Sequence, residues 1–141
     1  MIKKYELVNK DNTMYATPLY RIKALISFGD VCAGDVGGWV QGEHNLSQSG
    51  NCWIYDDAIV CGNAVVQDDA SVKDRAVVSG DAKVEDFAVV DGCSRILDSA
   101  RVRRHATITS AKVCDRATVS GRMHIDRGYI GGNALLTGSA T

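Results

Sequence analysis

A six-residue phrase repeats from Cys52 to Thr141, and it constrains the fold of this chain more than any other feature. Each phrase opens with a small residue, usually alanine, and carries an aliphatic residue two positions later. Side chains two positions apart point to the same face of a strand, whereas a helix would need periods of three and four. No polar residue interrupts the aliphatic series, which is Ile54, Val60, Val66, Val72, Val78, Val84, Val90, Ile96, Val102, Ile108, Val113, Val119, Ile125, Ile130 and Leu136. The sequence therefore predicts an all-β parallel helix, whose short strands bury a core only when coils stack.

Two phrases, residues 106–110 and 123–127, are one residue short. If three phrases make one coil, both deletions fall at the same corner of adjacent coils. This predicts a three-faced prism of about five coils, with about 18 residues per coil and a length of roughly 25 Å. The predicted inward columns are Val60, Val78, Ile96, Val113 and Ile130 on face A; Val66, Val84, Val102, Val119 and Leu136 on face B; and Ile54, Val72, Val90, Ile108 and Ile125 on face C. Corners that need positive φ are expected at Gly50, Gly62, Gly80, Gly92, Gly121 and Gly138, and at many Asp and Asn residues.

The first 45 residues lie outside the repeat. Tyr5–Val8 and Met14–Ala16 flank a polar turn, which predicts a hairpin. Residues 19–26 alternate apolar and polar side chains, which predicts a further strand, with a helix as the alternative. The open end of a β-helix exposes unpaired backbone and core, so it needs a cover. We therefore expect an N-terminal β cap over 1–45 and the hexapeptide-repeat β-helix over 46–141.

Composition narrows the class of protein. The chain carries 16 basic and 17 acidic residues, so its bulk charge gives no signal for nucleic-acid or membrane binding. No apolar run approaches the length of a membrane span. The near-neutral charge and the lack of such a run favour no membrane partner. The five cysteines are odd in number and form no CxxC pair, which favours reduced thiols and a cytoplasmic location. Cys52 is expected to point inward, and Cys61 and Cys114 lie three coils apart, too far for a disulfide.

Glycine and tryptophan concentrate just before the repeats. Residues 28–40 read Phe-Gly-Asp-Val-Cys-Ala-Gly-Asp-Val-Gly-Gly-Trp-Val, and residues 43–55 read Glu-His-Asn-Leu-Ser-Gln-Ser-Gly-Asn-Cys-Trp-Ile-Tyr. This arrangement resembles YdcK-like hexapeptide-repeat proteins of enteric bacteria, phages and prophages, which are labelled transferases on their fold alone. The resemblance implies a left-handed helix and a trimer, neither of which the period itself gives. A purely structural interpretation is that the glycines allow a tight crossing and that Trp39 and Trp53 plug the first coil.

The resemblance raises acyl transfer as one function. Hexapeptide acyltransferases typically use a catalytic histidine, an acyl-CoA groove between subunits, and a loop or tail outside the repeats. His44 is the best candidate for a general base, and His105 is the second. No loop interrupts the repeats, so a surface or capping role for these histidines is the simpler interpretation. We expect no metal, because the histidine spacing matches no ligand pattern, and no cofactor, with acyl-CoA only under the enzyme alternative.

Charge is distributed unevenly along the predicted prism. Residues 1–93 contain 8 basic and 14 acidic residues, whereas residues 94–141 contain 8 basic and 3 acidic ones. One basic cluster follows an acidic stretch down the corner between faces B and C, and its members are Arg101, Arg103, Arg104, His105 and Arg122. This cluster is a candidate site for an anionic partner, a protein, nucleotide or nucleic acid. A plain solvated surface and head-to-tail association of basic end on acidic end are the alternatives. No aromatic ladder accompanies the arginines, which weakens single-stranded nucleic-acid binding.

Outward apolar residues indicate where copies of the chain associate. Face A is the preferred surface, and its candidate residues are Ile59, Val77, Leu97 and Tyr129. Trp53 is expected to be exposed on face C. We therefore predict a homo-oligomer, with a trimer favoured by the resemblance.

Taken together, these features favour a non-catalytic β-solenoid that binds a partner or assembles with itself. A phage or prophage association, with a host-interaction or counter-defence role, is expected by analogy only. The alternative is an acyltransferase-like enzyme that uses acyl-CoA at a site between subunits.

Overall fold

The computed structural model describes residues 3–11 and 18–137, and these residues form a parallel β-solenoid of about five coils. The strands before the repeats are β1 Tyr5–Asp11, β2 Leu19–Ala24 and β3 Val36–Val40, followed by a 3-10 turn at Glu43–Asn45. Face A holds β5 Ile59–Val60, β8 Val77–Val78 and β11 Arg95–Ile96. Face B holds β6 Val65–Val66, β9 Lys83–Val84, β12 Arg101–Val102, β14 Thr118–Val119 and β16 Leu135–Leu136. Face C holds β4 Trp53–Ile54, β7 Ser71–Val72 and β10 Val89–Asp91. Strands β13 Thr107–Val113 and β15 His124–Ile130 run around the corner from face C to face A.

The three predicted columns are confirmed by the strand pairing. On face A, Val60 pairs with Val78, which pairs with Ile96. The same parallel register continues to the later coils and holds on faces B and C. The core is correspondingly uniform, because the alanines and aliphatic residues of the inner coils are fully buried. In the last coil, Ile125, Ile130 and Leu136 are only partly buried.

The corners follow from backbone conformation. Gly50, Gly62, Gly80, Gly92 and Gly121 have positive φ as predicted, and Asp residues take the same conformation in other coils. Gly138 lies outside the described residues. At Gly50 the crowding is severe, since a Cβ there would lie 2.3 Å from the Asp68 carbonyl oxygen of the next coil.

A carboxylate ladder connects these corners from coil to coil. The Asp74 Oδ2 atom accepts a hydrogen bond from the Gly92 N–H at 2.9 Å, and Asp115 Oδ2 accepts one from the Gly132 N–H at 2.8 Å. Each corner Asp thus satisfies a backbone donor one coil further along.

The two shortened phrases stack at the same corner, which confirms that prediction. Ala111 of β13 pairs with Gly128 of β15, so the shortened corners of the two coils lie directly over one another. Where the first short coil meets its full-length neighbour, Ser94 is completely buried. Its hydroxyl lies 2.7 Å from the Asp91 carbonyl oxygen and accepts a hydrogen bond from the Ala111 N–H at 3.2 Å.

The first segment, residues 3–11 and 18–46, joins the coils through strand pairing. Strand β1 pairs antiparallel with β2, and β2 pairs antiparallel with β3. Residues 19–24 are therefore a strand and not the alternative helix, while Met14–Ala16 lies outside the described residues. Strand β3 pairs in parallel with β5, so the coil stack already begins on face A at Val36–Val40. The capping role of this segment and the hand of the solenoid stay predictions.

Side chains of the first segment reach into the first coil. The buried Lys4 ammonium donates to the Cys52 carbonyl oxygen at 2.8 Å and lies 3.3 Å from the Cys52 thiol. The Tyr5 hydroxyl donates to the Leu46 carbonyl oxygen. Burial lowers the pKa of Lys4 and raises the pKa of both Tyr5 and Cys52.

Trp53 was expected to be exposed on face C, and that expectation is wrong. Its ring faces outward from the coil, yet the side chain is only 2% exposed. Phe28 and Tyr5 cover it with edge-on rings at centroid distances of 5.3 and 6.3 Å. The loop that begins after β2 therefore shields a position that the repeat alone leaves open.

Candidate functional site

The corner between faces B and C, here called the B–C edge, changes from acidic to basic along the solenoid. Asp68, Asp86 and Arg104 occupy equivalent corner positions with positive φ. The Asp86 N–H donates to Asp68 Oδ2 at 3.1 Å, and the Arg104 N–H donates to Asp86 Oδ2 at 3.0 Å. This ladder leaves the Arg104 side chain exposed to solvent.

An aromatic stack lies beside this ladder. The rings of Phe87 and His105 are parallel to within 2°, with centroids 4.8 Å apart. Phe87 is 55% exposed, and His105 is exposed as well. The facing sides of the two rings cover each other, so the ring edges and outer sides are what remain to contact a further planar ring.

No aromatic ladder was expected beside the arginines, yet Phe87 and His105 form this stack. The residues lie 18 positions apart, and each follows the corner residue of its phrase. That shared position was the available signal, because equivalent positions of successive coils stack directly.

The basic residues of the B–C edge differ in how they are paired. Arg101 lies 3.6 Å from Glu85, and Arg103 lies 3.9 Å from Asp86. Arg104 and Arg122 are exposed and have no carboxylate within ion-pair distance in the described part of the chain. These two guanidinium groups are therefore available to an anion.

Two buried polar atoms next to this edge lack hydrogen-bond partners among the described residues. They are Glu85 Oε2 and Arg103 Nε. Glu85 is only 8% exposed, and its other oxygen accepts a hydrogen bond from Gln67 at 3.3 Å. Both atoms belong to the ion pairs described above, Glu85 Oε2 with Arg101 and Arg103 Nε with Asp86, whose separations of 3.6 and 3.9 Å are too long for hydrogen bonds.

The candidate catalytic histidines have structural contacts. His44 Nε2 lies 2.8 Å from the Gly62 carbonyl oxygen, which ties the 3-10 turn to the next coil. The Asn45 side chain strengthens that junction, since its Nδ2 donates to the Ala64 carbonyl oxygen at 2.8 Å. If Nε2 donates to this carbonyl, the lone pair of the neutral ring lies on Nδ1, so Nδ1 is the nitrogen that could accept a proton. His105 lies elsewhere, stacked on Phe87.

Potential metal ligands meet at another corner. Among the described residues, ligand atoms of Asp98, Cys114 and Asp115 lie within 4.8 Å of one another. Both carboxylates already accept ladder hydrogen bonds from backbone N–H groups, and the Cys114 thiol donates to the Tyr129 hydroxyl at 3.2 Å. These contacts fit a structural role.

The four candidate residues for self-association do not form one patch. Ile59 and Val77 are neighbours in one outward column of face A. Arg95 and Lys112 follow in that column before Tyr129, which is 65% exposed. Leu97 lies in the adjacent column. The apolar surface of face A is therefore divided by two basic side chains.

Comparison with known proteins gives one partial relative. A stretch of 54 residues is 48% identical to the "Uncharacterized acetyltransferase YdcK" of Escherichia coli strain K12 and covers 38% of this chain. The match spans only 17% of that longer protein. No protein-family model matches the chain. The β-solenoid and this partial homologue together support a place in the hexapeptide-repeat superfamily.

None of the described helices is long and apolar enough to cross a membrane.

Proposed function

We propose that this chain is a non-catalytic β-solenoid that binds a nucleoside phosphate, free or within a single strand, at the B–C edge. The observation that carries the proposal is the exposed Phe87–His105 stack beside the unpaired Arg104 and Arg122. Guanidinium groups bind phosphate oxygens through charge-assisted hydrogen bonds. Aromatic rings bind bases by stacking, with little preference for sequence.

The test measures binding of ATP by calorimetry and of a fluorescein-labelled dT10 by anisotropy. We expect the double variant Arg104→Gln/Arg122→Gln to weaken binding at least about tenfold, since two charge-assisted contacts are lost. Phe87→Ala should weaken it severalfold through lost stacking. Binding of ATP alone would indicate a free nucleotide, and stronger binding of dT10 would indicate a strand.

The matched control is Arg116→Gln, which removes an exposed arginine from the corner between faces A and B. It should change binding less than twofold. If Arg116→Gln weakens binding as much as the double variant, the interaction is general charge attraction and the B–C edge is not a site. Absence of saturable binding to both probes would likewise refute the proposal.

Acyl transfer is the second candidate, because the partial relative is named an acetyltransferase. Under this alternative, acetyl-CoA would bind between subunits, and His44 or His105 would act as general base. The test follows acetyl-CoA consumption by chromatography with a panel of amine acceptors. Turnover that is lost in His44→Ala or His105→Ala would replace the non-catalytic proposal. Melting that rises with acetyl-CoA but not with ATP would also favour this candidate.

Self-association and biological setting are further parts of the proposal. We expect a homo-oligomer, with a trimer formed through face A around Ile59 and Val77. Light scattering at low and high salt measures the molar mass. Assemblies that dissociate at high salt would instead indicate head-to-tail stacking of oppositely charged ends.

The biological setting is proposed by analogy with YdcK-like proteins. It comprises a phage or prophage origin, a host-interaction or counter-defence role and a cytoplasmic location.

A further inference from the structure

A buried lysine and a buried cysteine touch where the first segment meets the first coil, away from the B–C edge. Lys4 is 2% exposed, and Cys52 is completely buried. The Lys4 Nζ atom lies 3.3 Å from the Cys52 sulfur. It also donates to the Cys52 carbonyl oxygen at 2.8 Å and to the Gly50 carbonyl oxygen at 3.3 Å. Three contacts therefore hold the nitrogen beside the sulfur.

The repeat itself does not call for a thiol at this position. Cys52 occupies the small slot of its phrase, and the equivalent residues of the next two coils are Ala70 and Ala88. The sulfur is a chemically reactive group in a slot that a methyl group fills elsewhere. Apart from Lys4, its polar contacts are the Ser47 and Ser49 carbonyl oxygens, each at 3.6 Å.

The surroundings of Lys4 favour its reactive form. Lys4 makes no ion pair with a carboxylate in the ranges 3–11 and 18–137. Desolvation by burial lowers the pKa of the Lys4 amine, and the nearby Cys52 and Asp69 oppose this shift only in part. A lowered pKa increases the fraction of neutral amine, which is the nucleophilic form. The Phe28 ring, with its centroid 5.0 Å from Nζ, packs against this group.

We propose that Lys4 and Cys52 form a covalent sulfenamide cross-link when the protein meets a peroxide. Hydrogen peroxide oxidises the Cys52 thiol to a sulfenic acid and releases one water. The neutral Lys4 amine then attacks the sulfur, so an S–N bond forms as the S–O bond breaks. The departing hydroxide takes a proton from the attacking nitrogen and leaves as a second water. One peroxide is consumed for each link.

The peroxide reaches the thiol through local opening of the first segment. Strand β1, which follows Lys4, lies at the end of its sheet and pairs only with β2 among the described strands. An edge element of this kind opens at a lower free energy than the coils do. When β1 closes again, the sulfenic acid returns to Lys4. The cross-link then holds the first segment on the first coil and prevents further opening.

The test treats the unaltered protein with hydrogen peroxide, digests it after denaturation and measures peptide masses. We expect a linked pair of peptides that contains Lys4 and Cys52, about 2 Da lighter than the sum of the two, which dithiothreitol separates. Fragment ions assign the two linked residues. The melting temperature should rise by several degrees with peroxide and return with dithiothreitol, because the link closes the chain between residues 4 and 52.

Two arginine substitutions at neighbouring lysines separate the pair from general lysine chemistry. Lys4→Arg keeps the positive charge but removes the amine. It should give no link and no rise in melting temperature, and Cys52 should proceed to the sulfinic acid, about 32 Da heavier. The matched control is Lys3→Arg, since Lys3 is exposed and pairs with Glu43. It should form the link as the unaltered protein does.

The masses from the unaltered protein decide the proposal even if Lys4→Arg does not fold. Cys52 that stays reduced while the exposed Cys32 and Cys93 are oxidised would overturn it. Oxidation of Cys52 without a link to Lys4, or a disulfide to another cysteine, would overturn it as well. A linked pair about 14 Da heavier than the separate peptides would contain an inserted oxygen and would exclude the sulfenamide.

Discussion

The first segment and the coils are held together by different kinds of contact. In the coils, most strands are two or three residues long, and each shares its hydrogen bonds with equivalent strands in the adjacent coils. In the first segment, single side chains such as Lys4, Tyr5 and Asn45 reach distant backbone groups. Repetition therefore spreads stability over many equivalent positions, whereas the first segment concentrates it in a few. Substitutions should have position-specific effects in the first segment and uniform effects in the coils.

The largest expected effect is at Gly37. Gly37→Ala would place a Cβ 2.4 Å from the Ile54 carbonyl oxygen and within 3 Å of Trp53 and Ile22, so strand β3 must shift. We expect a loss of about 3 kcal/mol or more in the free energy of unfolding, measured by urea denaturation. The control Gly132→Ala has positive φ but open space around its Cβ, so it should cost only about 1–2 kcal/mol. Equal losses in both variants would contradict the conclusion that the stability of the first segment depends on a few close contacts.

Alkaline pH should act mainly on groups buried where the first segment meets the first coil. Burial raises the pKa of Tyr5, Tyr55 and Cys52 above their ordinary values, and burial lowers that of Lys4. A group whose pKa is raised by folding stabilises the folded state fully below its pKa in the unfolded chain. This contribution is lost as the pH rises from that value to the pKa in the folded state. Lys4 acts oppositely, because the unfolded chain keeps its proton up to about pH 10.5. Stability should therefore fall above pH 10, where the tyrosines ionise in the unfolded chain, by about 1 kcal/mol per pH unit from Tyr5 alone.

Urea unfolding at pH 8, 10 and 11 measures this dependence. Tyr5→Phe should be less stable at pH 8, because the hydrogen bond to Leu46 is lost, but its stability should fall less steeply above pH 10. An unchanged slope in Tyr5→Phe would show that the alkaline effect arises elsewhere.

The smallest expected effect is at a ladder corner of the coils. Asp74 has a φ of 61° and accepts the Gly92 N–H. Asp74→Ala loses this hydrogen bond and keeps an unfavourable conformation, so it should cost about 1–2 kcal/mol. Asp74→Gly also loses the bond but relieves the backbone, so it should stay within about 0.5 kcal/mol of the original protein. Thermal melts that rank glycine below alanine would show that the carboxylate dominates this corner.

The difference between the two regions also explains what the sequence could predict. The columns, the corners and the stacked deletions follow from a period that every coil obeys, so residues far apart in sequence could be aligned. The burial of Trp53 and the Lys4–Cys52 contact could not be found this way, because the first segment has no period. The stack of Phe87 on His105 could be predicted only in part. Their alignment was predictable, but the side-chain rotation that stacks the rings was not.

The paired short corners have the character of a dislocation in a crystal. A lattice that loses part of a row concentrates the mismatch along one line, and the lattice beyond that line is regular again. Here the perimeter changes once, where ladder partners go from 18 to 17 residues apart. Ser94 and Ser110 supply the hydrogen bonds at that line, to Ala111 and Cys93 respectively. A solenoid of this kind can therefore change the number of residues per coil at a single corner, provided that polar side chains satisfy the backbone groups there. The coils on either side keep their own regular repeat.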